Sequence, residues 1–179
     1  MGKISMKKIN FYFFCFLLYA FIGWIYEVIL EFYYGNGFVN RGFLHGPYLP
    51  VYGFGALLII FSVYSLSKKK IYIGKLSITP AIVFILIFLL TTIVEYITGS
   101  ILDLFLTERL WDYSHYKFNI NGLVCLSAST RFAIGGTLFT YALQPLFGKF
   151  IIKIPSKLQN ILFWILFGTI LIDFIMTII

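Results

Sequence analysis

The chain has 179 residues, of which 60% are hydrophobic and only 12% charged, with a mean hydropathy of +0.93 and a net charge of +7. A soluble globule is about half apolar and about a quarter charged, so a fold this poor in charge cannot cover its own surface in water. The composition excludes an ordinary soluble domain, and the lysines fall in gaps between apolar runs, which points to bilayer orientation rather than nucleic acid as the role of the charge.

A membrane-crossing helix needs about 20 mostly apolar residues. Five segments qualify, at roughly 9–33, 47–67, 77–102, 121–148 and 157–179. The first follows a basic stretch, MGKISMKKIN, but no small-x-small cleavage pattern ends it, so it is expected to be a retained span. The second is preceded by FVNRGFLHGPYLPVYG (38–53), and Pro47 and Pro50 sit in its first turn, where proline is tolerated. The third leads into a polar, aromatic link at 103–120 with room for a short interfacial helix. The expected fold is therefore all-α: a polytopic helical bundle forming a single transmembrane domain over residues 1–179.

Basic residues set the orientation. Ten lysines (3, 7, 8, 68, 69, 70, 75, 149, 153 and 157) fall on the N-terminal side of this arrangement, against Arg41, Arg109 and Lys117 on the other. By the positive-inside rule the N-terminus is cytoplasmic and the C-terminus outside. All seven acidic residues, Glu27, Glu31, Glu95, Asp103, Glu108, Asp112 and Asp173, then lie in the outer half. Glu95 is placed roughly 25 Å above the cytoplasmic end of its helix. Arg131, counted from a helix start at Asn121, is placed roughly 15 Å down, where a lone charge costs at least about 2.5–3.5 kcal/mol. An ion pair or network with Glu95 or Glu27 is expected to offset that cost.

Gly23, Glu27 and Glu31 share one helix face at spacings of four, as do Glu95, Gly99 and Asp103. Each half of the chain runs as a span with a late glutamate, an aromatic outer link and a returning span. The links carry Asn40-Arg41-Gly42 and Asn119-Ile120-Asn121-Gly122, which points to a two-fold internal repeat. The expected site is an outer-half cavity for a polar or charged small molecule, lined by Glu27, Arg41, Glu95, Asp112 and Arg131, with Asn121 and Tyr52 as further binding residues. Glu31, Asp103 and Asp173 read equally well as markers of helix ends. Trp24, Trp111, Tyr113 and Tyr116 read as interface anchors, Ser127, Ser129 and Thr130 as polar packing residues, and Cys15 and Cys125 as small packing residues. His45 and His115 lack a metal-ligand spacing, and no GxSxG, P-loop or HExxH string occurs, so no catalytic residue, metal or other cofactor is assigned.

Four stretches carry a family resemblance: GWIYEVIL (23–30), FVNRGFLHGPYLPVYGFGALL (38–58), EYITGSILDLF (95–105) and RLWDYSHYKFNINGLVCLSAS (109–129). They resemble the bacterial ABC-transporter permease family of the CmpB-like, type IV group, over about residues 20–148. Glu27, Asn40, Arg41, Gly42, Gly46, Pro47, Pro50, Tyr52 and Gly53 match one motif block. Glu95, Gly99, Arg109, Trp111, Asp112, Tyr113, Ser114, Asn121 and Gly122 match the others. After Ser129, where that family commonly has a Trp-Gly pair, this chain reads Thr130-Arg131-Phe132-Ala133, so the resemblance does not carry Arg131 over. It implies a permease-like transport component of a bacterial plasma membrane, working with a separate ATPase subunit and, given only five spans, as a homodimer or with another partner. The segments at 67–76 and 148–157 that would meet an ATPase are short and basic, without the look of a coupling helix. The same carboxylate and arginine cluster also fits a membrane-embedded enzyme or lipid-headgroup-handling protein, or a structural or regulatory subunit whose charges pair with each other.

Overall fold

The structure, a computed structural model, describes residues 6–105, 109 and 111–179; Lys3 and Glu108 lie outside the described residues. Its elements in chain order are α1 (Met6–Tyr33), α2 (Pro50–Ser62), α3 (Tyr64–Ser67), the strands β1 (Tyr72–Ile73) and β2 (Leu76–Ser77), α4 (Thr79–Phe105), the strands β3 (Asn119–Ile120) and β4 (Val124–Cys125), α5 (Leu126–Leu138), a π turn (Phe139–Leu143), α6 (Gln144–Lys153) and α7 (Ser156–Ile178). Among the described residues three helices, α1, α4 and α7, are long and apolar enough to cross a membrane, while α2 is apolar but shorter. At about 1.5 Å per residue, the 28 residues of α1 reach about 42 Å, beyond a hydrocarbon core of about 30 Å.

The elements group into two compact units, one from residues 1–58 with 145–179 and one from residues 59–144. In the first unit α1 packs along α7. Phe13 meets Phe163 edge-on at 4.6 Å between ring centroids, and the Asn10 amide donates to Asn160 Oδ1 at 2.6 Å. Gly35 ends α1. At φ +82° it lets its own N–H reach the Phe32 carbonyl and the Asn36 N–H reach the Glu31 carbonyl, a Schellman closure that satisfies carbonyls left over at the helix end. The chain then returns so that the Leu49 N–H donates to the Ala20 carbonyl of α1 at 2.9 Å, and Pro50 opens α2. This close approach needs Gly23, since a Cβ there would collide with the Tyr52 ring.

In the second unit α4 packs on α5. Gly136 makes room for Ile87 and Ile59, and Val83, Ile87 and Ala133 are fully buried. Two tight hairpins interrupt the helices. Gly74, at φ +62°, turns β1 into β2. Asn121 (φ +54°) and Gly122 (φ +70°) turn β3 into β4, the two positive-φ positions of a type I′ turn, for which Asn-Gly is the favoured pair. The Cys125 thiol then caps α5, accepting from the Ala128 N–H at 3.3 Å.

Several boundaries differ from the sequence expectation. The second helix begins at Pro50, not 47, because Gly46–Leu49 is spent on the return to α1. The fourth apolar segment becomes helical at Leu126 rather than Asn121, because Asn121-Gly122 is a hairpin turn. Arg131 is therefore about 7.5 Å from the start of its helix, not about 15 Å. The described residues of the 103–120 link beyond Phe105 form irregular chain, turns, bends and the strand β3, and no helix. The π turn ends two residues before Pro145, whose missing N–H and ring would disrupt a regular helix, so the backbone widens ahead of it.

Candidate functional site

In the first unit the α1 face carrying Gly23, Glu27 and Glu31 meets the loop between α1 and α2. Tyr52, on the first turn of α2, donates its hydroxyl to Glu27 Oε1 at 2.5 Å. One turn further along, Glu31 is buried, 5% exposed. It takes an ion pair from Arg41 Nη2 at 2.5 Å on one oxygen and the Asn36 amide at 2.7 Å on the other. Asn40 fixes the loop between them. It accepts from the Trp24 indole at 2.6 Å and donates to the His45 carbonyl at 2.8 Å. Glu27 on α1, Arg41 in the loop and Tyr52 on α2 thus meet at one loop–helix junction.

The same unit holds a node that the sequence did not reveal. Asp173, on α7, accepts from the backbone N–H groups of His45 (3.2 Å) and Gly46 (3.0 Å) and from the Tyr48 hydroxyl, and pairs with His45 Nδ1 at 3.1 Å. Thr177, one turn on, meets the same His45 nitrogen at 3.0 Å. The sequence held only a faint signal, an acid and a histidine on the same expected side of the membrane, separated by 128 positions.

In the second unit Glu95 stands on α4 and accepts from the Tyr113 hydroxyl at 3.1 Å on Oε1. Its other oxygen, Oε2, is buried and receives no hydrogen bond. Burial, the Glu95 charge and the hydrogen bond to Glu95 push the Tyr113 phenol well above its ordinary range, so it remains a protonated donor. Arg131, on α5, is near enough for its charge to act on both Glu95 and Tyr113, and its Nε donates to the Ser127 carbonyl at 3.4 Å.

Two turns beyond Glu95, Asp103 pairs with Arg109 Nη2 at 2.7 Å. Arg109 Nη1 donates to the Asn121 carbonyl at 2.9 Å and stands 3.9 Å from Asp112. Asp112 accepts from both the N–H and the hydroxyl of Ser114, at 2.8 and 2.6 Å. These two bonds, helped by the Arg109 charge, hold its carboxyl below the ordinary carboxylate range. Gly122 is the floor of this cradle: a Cβ there would come within 2.5–2.8 Å of Ser114 Oγ, Asp112 Oδ1 and Arg109 Nη1. The Asn121 amide reaches the Tyr96 hydroxyl at 3.0 Å, and the Trp111 indole donates to the Leu123 carbonyl at 2.9 Å. Asp112 and Asn121 thus shape the link, while Glu95 alone among the predicted carboxylates keeps a buried oxygen without a donor.

A family model described as "Putative ABC-transporter type IV" matches residues 14–178. The chain belongs to this family. No curated protein and no solved structure matches it. For this type IV ABC-transporter family member, the match covers both carboxylate–tyrosine pairs and the Asp173 node, and with three long apolar helices it describes a transport-related membrane component.

Proposed function

We propose that this type IV family member is the membrane-embedded part of a transporter and takes up a polar or charged small molecule on the outer side of a bacterial plasma membrane. The carrying observation is the buried Glu95 Oε2, which has no donor although Tyr113 supplies one to its neighbour. A buried carboxylate oxygen without a hydrogen bond is costly, and such groups are normally satisfied. A ligand bringing an ammonium or hydroxyl group would supply the missing donor, and the nearby Arg131 charge would favour an acidic substituent on the same molecule. Glu27, which Tyr52 holds in the other unit, is the corresponding group in a two-fold internal repeat. In both units a helix carboxylate takes a tyrosine hydroxyl, and a later acid on the same helix pairs with a link arginine (Glu31–Arg41 and Asp103–Arg109). Energy would come from a separate ATPase subunit, and the chain would work as a homodimer.

The test is a solute panel on the purified protein in nanodiscs, read by thermal stability. Amino acids, polyamines and polyhydroxylated solutes are expected to include at least one that stabilises the wild type but leaves Glu95→Gln unmoved. If every stabilising solute acts equally on Glu95→Gln, the transport site is not there.

We infer five spans in one transmembrane domain, with residues 50–67 and 126–153 supplying the two beyond α1, α4 and α7. The distribution of ten lysines against three outer basic residues supports a cytoplasmic N-terminus. Cysteines introduced singly at Lys69 and Lys117 are expected to react with a membrane-impermeant maleimide only at 117 in intact cells. Labelling at 69 instead would reverse the topology.

A further inference from the structure

The second unit carries a groove of about 430 Å³ beside the cluster described above, between the Tyr116–Phe118 stretch of the link and the first turns of α5. Its lining is of two kinds. Lys117 and Arg131 bring two cations from different elements, and among the described residues no acidic one lines it. Phe118 and Leu126, 65% and 52% exposed, form greasy walls. The apolar character continues down the helix, because Arg131, Ile134 and Leu138 follow at spacings of three and four on one face, and Ile134 and Leu138 are both exposed. A pair of cations above an exposed apolar stripe, about one and a half turns inside a membrane helix, matches a phosphate joined to an acyl chain.

We propose that this groove binds one anionic phospholipid of the outer leaflet, its phosphate held between Lys117 and Arg131 and its chain lying on Leu126, Ile134 and Leu138. A free phosphate would gain nothing from those apolar walls. A zwitterionic lipid would bring its own cation against the two already there. Glu95 and Tyr113 also lie within reach of the Arg131 charge, but a guanidinium has five N–H donors, so contact with the protein and a grip on a phosphate are compatible. Lys117 also lies 5.8 Å from the centre of the Phe118 ring, which keeps its ammonium over the groove wall. The proposal does not depend on the transport reading, since a bound lipid would occupy this groove whatever Glu95 does.

Native mass spectrometry of the purified protein with phosphatidylglycerol, phosphatidylcholine or inorganic phosphate separates the sources. Phosphatidylglycerol is expected to be retained over phosphatidylcholine, with retention falling about fivefold for each cation removed in Lys117→Gln and in Lys117→Gln/Arg131→Gln. A control, Lys149→Gln/Lys153→Gln, removes the same charge elsewhere and should retain the lipid. Equal retention of both lipids, undiminished binding in Lys117→Gln, or displacement of the lipid by millimolar inorganic phosphate would overturn the proposal. The exposed Lys117 site keeps the test open even if the Arg131 change disturbs folding.

Discussion

Arg41→Ala is expected to destabilise the first unit by about 3 kcal/mol. Glu31 is buried, and its carboxylate relies on Arg41 and Asn36. Removing one partner of a buried ion pair costs about 3–5 kcal/mol, because the remaining charge is stranded. The Arg41 side chain is half exposed, which favours the lower end of that range. The pair itself is worth far less than this cost, and that difference gives the prediction its sharper form. Adding Glu31→Gln to Arg41→Ala removes the stranded charge, so the double variant should recover most of the loss. Unfolding by SDS in mixed micelles measures both. If the double variant is less stable than Arg41→Ala alone, Glu31 is held by something other than this ion pair.

Asp173→Asn should release the 45–48 loop from α7. The wild-type carboxylate accepts from two backbone N–H groups and the Tyr48 hydroxyl, and pairs with His45. Asparagine keeps one acceptor oxygen but replaces the other with a donor, which opposes the remaining N–H groups, and it removes the charge that strengthens all four contacts. Hydrogen exchange at the His45 and Gly46 amides is expected to rise to the rate of an open loop, while the buried α1 amides near Cys15 keep their protection. Unchanged exchange at 45 and 46 would mean that the loop is held by its own turns and not by Asp173.

How far the site was legible depended on sequence distance and on which chemistry was local. The α1 stripe of Gly23, Glu27 and Glu31 follows from helical spacing, and its partners Tyr52 and Arg41 lie on the returning segment, within one loop. Asn121-Gly122 was legible as part of the pattern shared by the two links but not as the hairpin that delays α5, because an apolar count cannot tell two short strands from the start of a helix. That delay puts Arg131 nearer the start of its helix. Tyr113 read as an anchor because aromatic residues in a link usually are; its role as donor to Glu95 depends on a turn in the link that spacing does not specify. Glu31 and Asp103, read as helix ends, turned out to be ion-pair partners, since a carboxylate at a helix end and one paired with a nearby arginine look alike in sequence. The His45–Asp173 contact joins residues 128 apart and is specified only by how α7 packs within its unit.

The two cysteines fall one to each unit. Cys15 is fully enclosed on α1, and Cys125 is 3% exposed at the cap of α5. Neither can react with a bulky reagent while its surroundings are closed. The chain therefore carries its own pair of clocks: the rate at which each thiol becomes alkylated times the opening of one unit, and a difference between the two rates would show that the halves breathe separately.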